Sequence, residues 1–175
     1  MKKLNNILII VITSISYIIA LTYLKDKQYV DLLKIVLILP VMLIPKILNK
    51  FNIKITCNLE FSYLLFIIFA YFLGVILNFY DKINSYDTIM HFISGIFTGY
   101  IATYILKDKN NKLYNFLFIL GFVSLIAVSW EIFEYISSII FDVDPQKVKL
   151  TGINDTMKDI IVALLGGILV TIKRR

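Results

Sequence analysis

Residues 113–141 read LYNFLFILGFVSLIAVSWEIFEYISSIIF, and the reading of this stretch decides the fold. Its first 18 residues, Leu113 to Trp130, carry no charge. An α-helix rises about 1.5 Å per residue, so about 20 apolar residues cross the roughly 30 Å hydrocarbon core of a bilayer. The 29 residues here are enough to span with tilt or to protrude. Two carboxylates, Glu131 and Glu134, then stand in the second half of the same apolar run. Ionisable groups at such depth are costly and mark functional positions by default.

Five further apolar segments lie outward from this one: 6–24, 31–48, 60–80, 86–106 and 155–172. The expected fold is therefore all-α, a membrane bundle of about six transmembrane helices in one domain over 1–175. The segment 31–48 is the weakest, because Lys34, Pro40, Pro45 and Lys46 interrupt it, and a kink or tilt is expected there. Ser85 and Asn154 are the expected N-caps of the fourth and sixth helices. The run after Lys2 and Lys3 continues to Leu24 with no small-residue cleavage site behind it, so it reads as a retained helix, not a signal peptide.

Composition agrees. Of 175 residues 59% are hydrophobic and only 17% charged, and the mean hydropathy is +0.82. A soluble domain carries about 25% charged residues. The net charge of +6 does not point to nucleic acid, because the basic residues sit between apolar runs and their first meaning is topological. Lys2, Lys3, Lys46, Lys50, Lys54, Lys107, Lys109, Lys112, Lys173, Arg174 and Arg175 fall on one side. Seven others (Lys25, Lys27, Lys34, Lys82, Lys147, Lys149, Lys158) fall on the opposite side. The excess places both termini in the cytoplasm of a bacterial cell, with the lipid bilayer as the first partner. Of the twelve acids only Glu60 and Asp108 fall on the cytoplasmic side. The lone Cys57 has no partner for a disulfide or a CxxC motif and reads as a small buried side chain.

Three ionisable pairs follow helical spacing: Asp87 with His91, Glu131 with Glu134, and Asp155 with Asp159. Spacings of three and four put each pair on one helix face. By rise per residue, His91 lies about 6–8 Å and Asp159 about 6 Å inside the outer end of their helices. Glu131 lies about 7 Å below the outer boundary by the same measure. Three helices thus bring ionisable groups to one layer near the external face. Five carboxylates there cannot be neutralised by Lys158 and one imidazole, so protons, a cation or water must fill the layer.

Asp87, His91, Asp155 and Asp159 are the candidate metal ligands, for a divalent ion such as Zn, Mn or Fe. Glu131 and Glu134 are the candidate catalytic carboxylates. Each has a plainer reading as well. Asp87 and Asp155 suit the positive end of a helix dipole, His91 could be a satisfied interior residue, and Trp130 an interfacial anchor. No P-loop, GxSxG, HExxH or histidine pair is present, so a metal would need mainly oxygen ligands. Three function classes remain open: a metal-dependent hydrolase or transferase acting on a lipid-linked or envelope substrate, an ion-coupled transporter, and a non-catalytic membrane protein with a structural polar network.

The stretches YDTIMHFISGIFTGY, WEIFEY and LTGINDTMKDIIVALLGG resemble the uncharacterised bacterial membrane-spanning proteins typified by YjdF, and more distantly VanZ-like membrane proteins. The D-x-x-x-H-F-x-x-G element corresponds to Asp87, His91, Phe92 and Gly95. The second element corresponds to Glu131 and Glu134, which are closer together than in some versions, so either glutamate is a possible equivalent. The D-T-x-x-D element corresponds to Asp155, Thr156 and Asp159. The resemblance covers residues 86–167 and implies polytopic membrane topology with no established activity.

Overall fold

The structure is a computed structural model that describes residues 1–106, 111–142, 144–146 and 148–173. Lys107, Asp108, Lys109, Lys147, Arg174 and Arg175, used above for orientation, lie outside the described residues. Every regular element among the described residues is helical. The chain divides into two compact units, Met1–Tyr86 and Asp87–Arg175.

The first unit contains α1 (Lys2–Lys25), α2 (Tyr29–Val36), α3 (Ile38–Lys50), α4 (Cys57–Ile67) and the short α5 (Phe79–Lys82). Between α4 and α5 the chain winds more widely over Ile68–Ile76, as in the Leu77 N–H to Phe72 carbonyl bond five residues back, at 3.0 Å. Thr56 caps α4 by accepting from the Leu59 N–H at 3.2 Å. Ile9, Ile35, Ile38, Met42, Leu64 and Phe72 form part of the core. The buried stripe of α1 is Asn5, Ile9, Thr13, Ser16 and Ala20, while Ile10, Ile18 and Leu21 are exposed. This small-and-polar-inside, aliphatic-outside pattern is what a lipid solvent selects.

The second unit contains α6, which begins at Tyr86 and ends at Ile105, then α7 (Lys112–Phe141), α8 (Val148–Thr151) and α9 (Asn154–Lys173). Asn111 caps α7 through the Tyr114 N–H at 3.0 Å. α7 buries Ile119, Val123, Ala127 and Glu131, one residue per helical turn. α9 buries Asp155, Asp159, Ala163, Gly166 and Gly167. A Cβ added to Gly95 of α6 would overlap the Ala163 carbonyl of α9, and one added to Gly166 would overlap the Phe92 carbonyl. The two backbones are therefore in contact, which only glycine permits. Val123 packs on Gly167 in turn, so α7 closes on the same helix.

Helix boundaries agree with the sequence reading to within a few residues, but three expectations are corrected. Among the described residues four helices, not six, are long and apolar enough to cross a membrane: Lys2–Lys25, Cys57–Ile76, Tyr86–Ile105 and Lys112–Phe141. The 31–48 segment breaks at Leu37 into pieces of 8 and 13 residues. Pro40 explains the break, since its ring lacks an N–H and crowds the carbonyl four residues back, at Val36. α9 has the length, but any 18-residue stretch of it includes Lys158, Asp159 and a third charge, Asp155 or Lys173. Cys57 is exposed, not buried. Asn154 is the first helical residue rather than the cap, a shift of one position.

Because the α6–α9 contact is backbone on backbone, Gly95→Ala should destabilise the unit by about 1–3 kcal/mol, the cost of overpacking a site that cannot yield. Thermal unfolding of the purified protein in detergent checks this. An unchanged melting temperature would mean the helices separate at no cost.

Candidate functional site

Asp87 and His91 stand one turn apart at the start of α6, and His91 is buried. One turn further along α6 comes Gly95, whose partner Ala163 lies one turn beyond Asp159 on α9. α6 and α9 thus run in the same direction, and their close crossing sets His91 and Asp159 side by side just above it. Glu131 arrives on α7, which runs the opposite way, as the last member of its buried stripe. Three helices therefore converge on one nitrogen. His91 Nε2 lies 3.5 Å from Asp87 Oδ1, 3.9 Å from Glu131 Oε1 and 3.9 Å from Asp159 Oδ2.

These separations exceed the roughly 2.7–3.2 Å of a good N–H···O hydrogen bond. One imidazole N–H could not serve three carboxylates in any case. Two donors bound to one tetrahedral ion at about 2.1 Å stand about 3.4 Å apart, close to what is observed. One donor atom from each of Asp87, His91 and Asp159 lies within 4.8 Å of the others, an arrangement that could hold a metal ion. Glu131 Oε1 and Asp159 Oδ1 are buried without a hydrogen-bond partner. Orphaned carboxylate oxygens of this kind are rare in folded proteins and point to an ion, a proton or water.

The other two candidate site residues face elsewhere. Asp155 Oδ1 accepts from Lys158 Nζ at 2.6 Å, and the same ammonium stands 3.9 Å from Asp159 Oδ1. Lys158 is half exposed and offsets only part of the negative charge. Glu134 Oε1 accepts from the Trp130 indole N–H at 2.8 Å. Trp130 is thus tied to a carboxylate on its own helix and is half exposed. Asp87, His91, Glu131 and Asp159 are brought together, Asp155 is joined to them through Lys158, and Glu134 lies beside the cluster and not in it.

Two polar residues escape the sequence reading. Gln146, in the connection after α7, is buried and donates from Nε2 to Glu131 Oε2 at 3.0 Å and to the Glu131 carbonyl at 3.1 Å. The only local signal is its place after Pro145, in a connection between helices. In the first unit, Asn5 Nδ2 donates to Glu60 Oε2 at 2.9 Å and to the Cys57 carbonyl at 3.0 Å, with both side chains buried. Glu60 is one of two acids among the basic loops of the chain, which is the sequence signal that sets it apart.

Residues 5–173 match the family model described as "Predicted membrane protein (DUF2238)". The chain belongs to this family. It is also 37% identical over 101 residues to a protein of Thermotoga maritima named "Uncharacterized protein", a match covering 54% of this chain and 50% of the relative. The chain therefore spans about half the length of the curated relative it matches. No solved structure matches. Membership agrees with the apolar helices: this is a membrane protein embedded in lipid.

With more carboxylates than cations around one imidazole, removing one negative charge while keeping its shape should stabilise the metal-free protein. Asp159→Asn is expected to raise its melting temperature by about 2–4 °C, equivalent to about 1 kcal/mol. A fall instead would mean that the ion pair with Lys158 outweighs repulsion within the cluster.

Proposed function

We propose that the unit Asp87–Arg175 holds a divalent ion (Zn, Mn or Fe) between Asp87, His91 and Asp159, just below the outer face of a bacterial cell membrane. The observation that carries this reading is the spacing of the carboxylates around His91 Nε2, 3.5 and 3.9 Å, too wide for hydrogen bonds and suited to ligands of one ion. The buried Glu131 Oε1, which has no hydrogen-bond partner and faces the imidazole, supports it further. A metal in such a position polarises a phosphoryl or carbonyl oxygen or activates water. The substrate class that fits the setting is a lipid-linked or envelope molecule, because the site lies at membrane depth near the outside. A hydrolase or transferase follows, with a neighbouring carboxylate, Glu131 or Glu134, as general base. Asp155 acts through Lys158, which tempers the charge at Asp159.

The test is elemental analysis of the purified full chain after titration with Zn, Mn and Fe(II). About one ion per chain is expected, with affinity reduced at least 100-fold in His91→Ala. Wild-type protein that retains no ion, or a His91→Ala variant that binds as tightly, overturns the reading.

Orientation is tested separately. Ile153, exposed in the turn before α9, is changed to cysteine in a Cys57→Ser background. A membrane-impermeant maleimide should label this variant in intact cells. Labelling only after permeabilisation would put the site at the cytoplasmic face.

A further inference from the structure

We propose that Glu131 is the fourth ligand of this ion and that Gln146 is the residue that positions it. The inference rests on the metal reading above and adds to it an assignment of Glu131 and a role for the connection between α7 and α9. Glu131 is 5% exposed, and its Oε1 stands 3.9 Å from His91 Nε2, the same separation as Asp159 Oδ2. Gln146 Nε2 donates to both Glu131 Oε2 and the Glu131 carbonyl. The two amide protons are thus spent on a single residue, which fixes the carboxylate relative to its own backbone. One oxygen is engaged by the amide and the other, Oε1, is left without a hydrogen-bond partner on the side of the imidazole. Metal-ligating carboxylates are commonly held in this way, by a hydrogen bond to the oxygen that does not face the ion.

The position of Gln146 needs a cause, since loop residues normally lie at the surface. The connection is pinned by Asp144, whose Oδ1 accepts from the Val148 N–H at 2.8 Å and whose Oδ2 accepts from the Lys149 N–H at 3.1 Å. Inside the turn that Asp144 closes onto Val148 and Lys149, Gln146 points inward and is 8% exposed. Ordering a long polar side chain there is costly unless its donors meet something that needs them.

The resulting donor set is one imidazole nitrogen and three carboxylate oxygens, from Asp87, Glu131 and Asp159. An oxygen-rich set with a single imidazole suits Mn or Fe(II) better than the sulfur- and nitrogen-rich sites typical of structural zinc. Glu134, bonded to Trp130, is left as the carboxylate not committed to the ion.

The experiment is Co(II) titration of the purified full chain, read by the visible d–d absorption band. Wild type should bind one Co(II) per chain. Glu131→Gln and Gln146→Met should each weaken Co(II) binding by about 10–100-fold and shift the band, which records the ligand set. Trp130→Phe should leave both unchanged. Glu131→Gln is nearly isosteric and keeps the test alive if Gln146→Met does not fold. Wild type with no band overturns the metal reading and this assignment together. Wild-type binding with an unaltered band and affinity in Glu131→Gln overturns the fourth ligand alone. A folded Gln146→Met variant with wild-type band and affinity overturns the positioning role.

Discussion

The crossing of α6 and α9 at Gly95, Ala163 and Gly166 is the constraint on which the second unit depends. In lipid there is no hydrophobic drive to press helices together, so association relies on close van der Waals packing and polar contacts. Small residues at the crossing remove the side-chain spacer and let main chains touch. The polar cluster then sits one turn from that contact on both helices, so the precision of the crossing is passed directly to His91 and Asp159. α7 adds its own register through Val123 against Gly167, and the same face carries Glu131 two turns further on.

What this packing brings together is electrostatically uncomfortable without a partner. Asp87, Glu131 and Asp159 gather around one imidazole, with Asp155 beside them on Lys158, the cation that the described residues place among them. At effective dielectric constants near 20, unit charges 4 Å apart interact by about 4 kcal/mol. A natural sequence tolerates such a conflict where function requires it. The first unit contains a milder version in Asn5 and Glu60, where one carboxylate meets one amide and the conflict is correspondingly smaller.

Much of this was legible in the sequence. Apolar run length located the helices because backbone groups in lipid must be satisfied within each segment, but it overcounted the spans, since among the described residues four helices and not six are long and apolar enough to cross. Spacings of three and four put Asp87 with His91 and Asp155 with Asp159 because helix geometry is rigid. Depth counting brought Glu131 to the same layer for the same reason. The parts that were not legible depend on tertiary context. Glu134 shares a helix with Glu131, but its bond to Trp130 is one of several rotamer choices that spacing does not rank. Gln146 reaches the cluster through a loop, where no periodicity exists to read. Pro40 announced a kink, but whether the chain bends or breaks depends on how the freed Val36 carbonyl is accommodated. Cys57 went astray because its type is usually buried, whereas its place in the first turn of α4 leaves it exposed.

The parallel course of α6 and α9 has a consequence for biogenesis. Helices that run in the same direction cannot form an insertion hairpin with one another, so α9 meets α6 only across the antiparallel α7 that lies between them in sequence. Until α9 docks, Asp87, His91 and Glu131 have no Asp159 opposite them. The cluster is completed only when α9 slides in against the glycine face of α6. Assembly of the polar centre is thereby coupled to the docking of one helix, and a chain cut before Asn154 carries the histidine without the acids of α9.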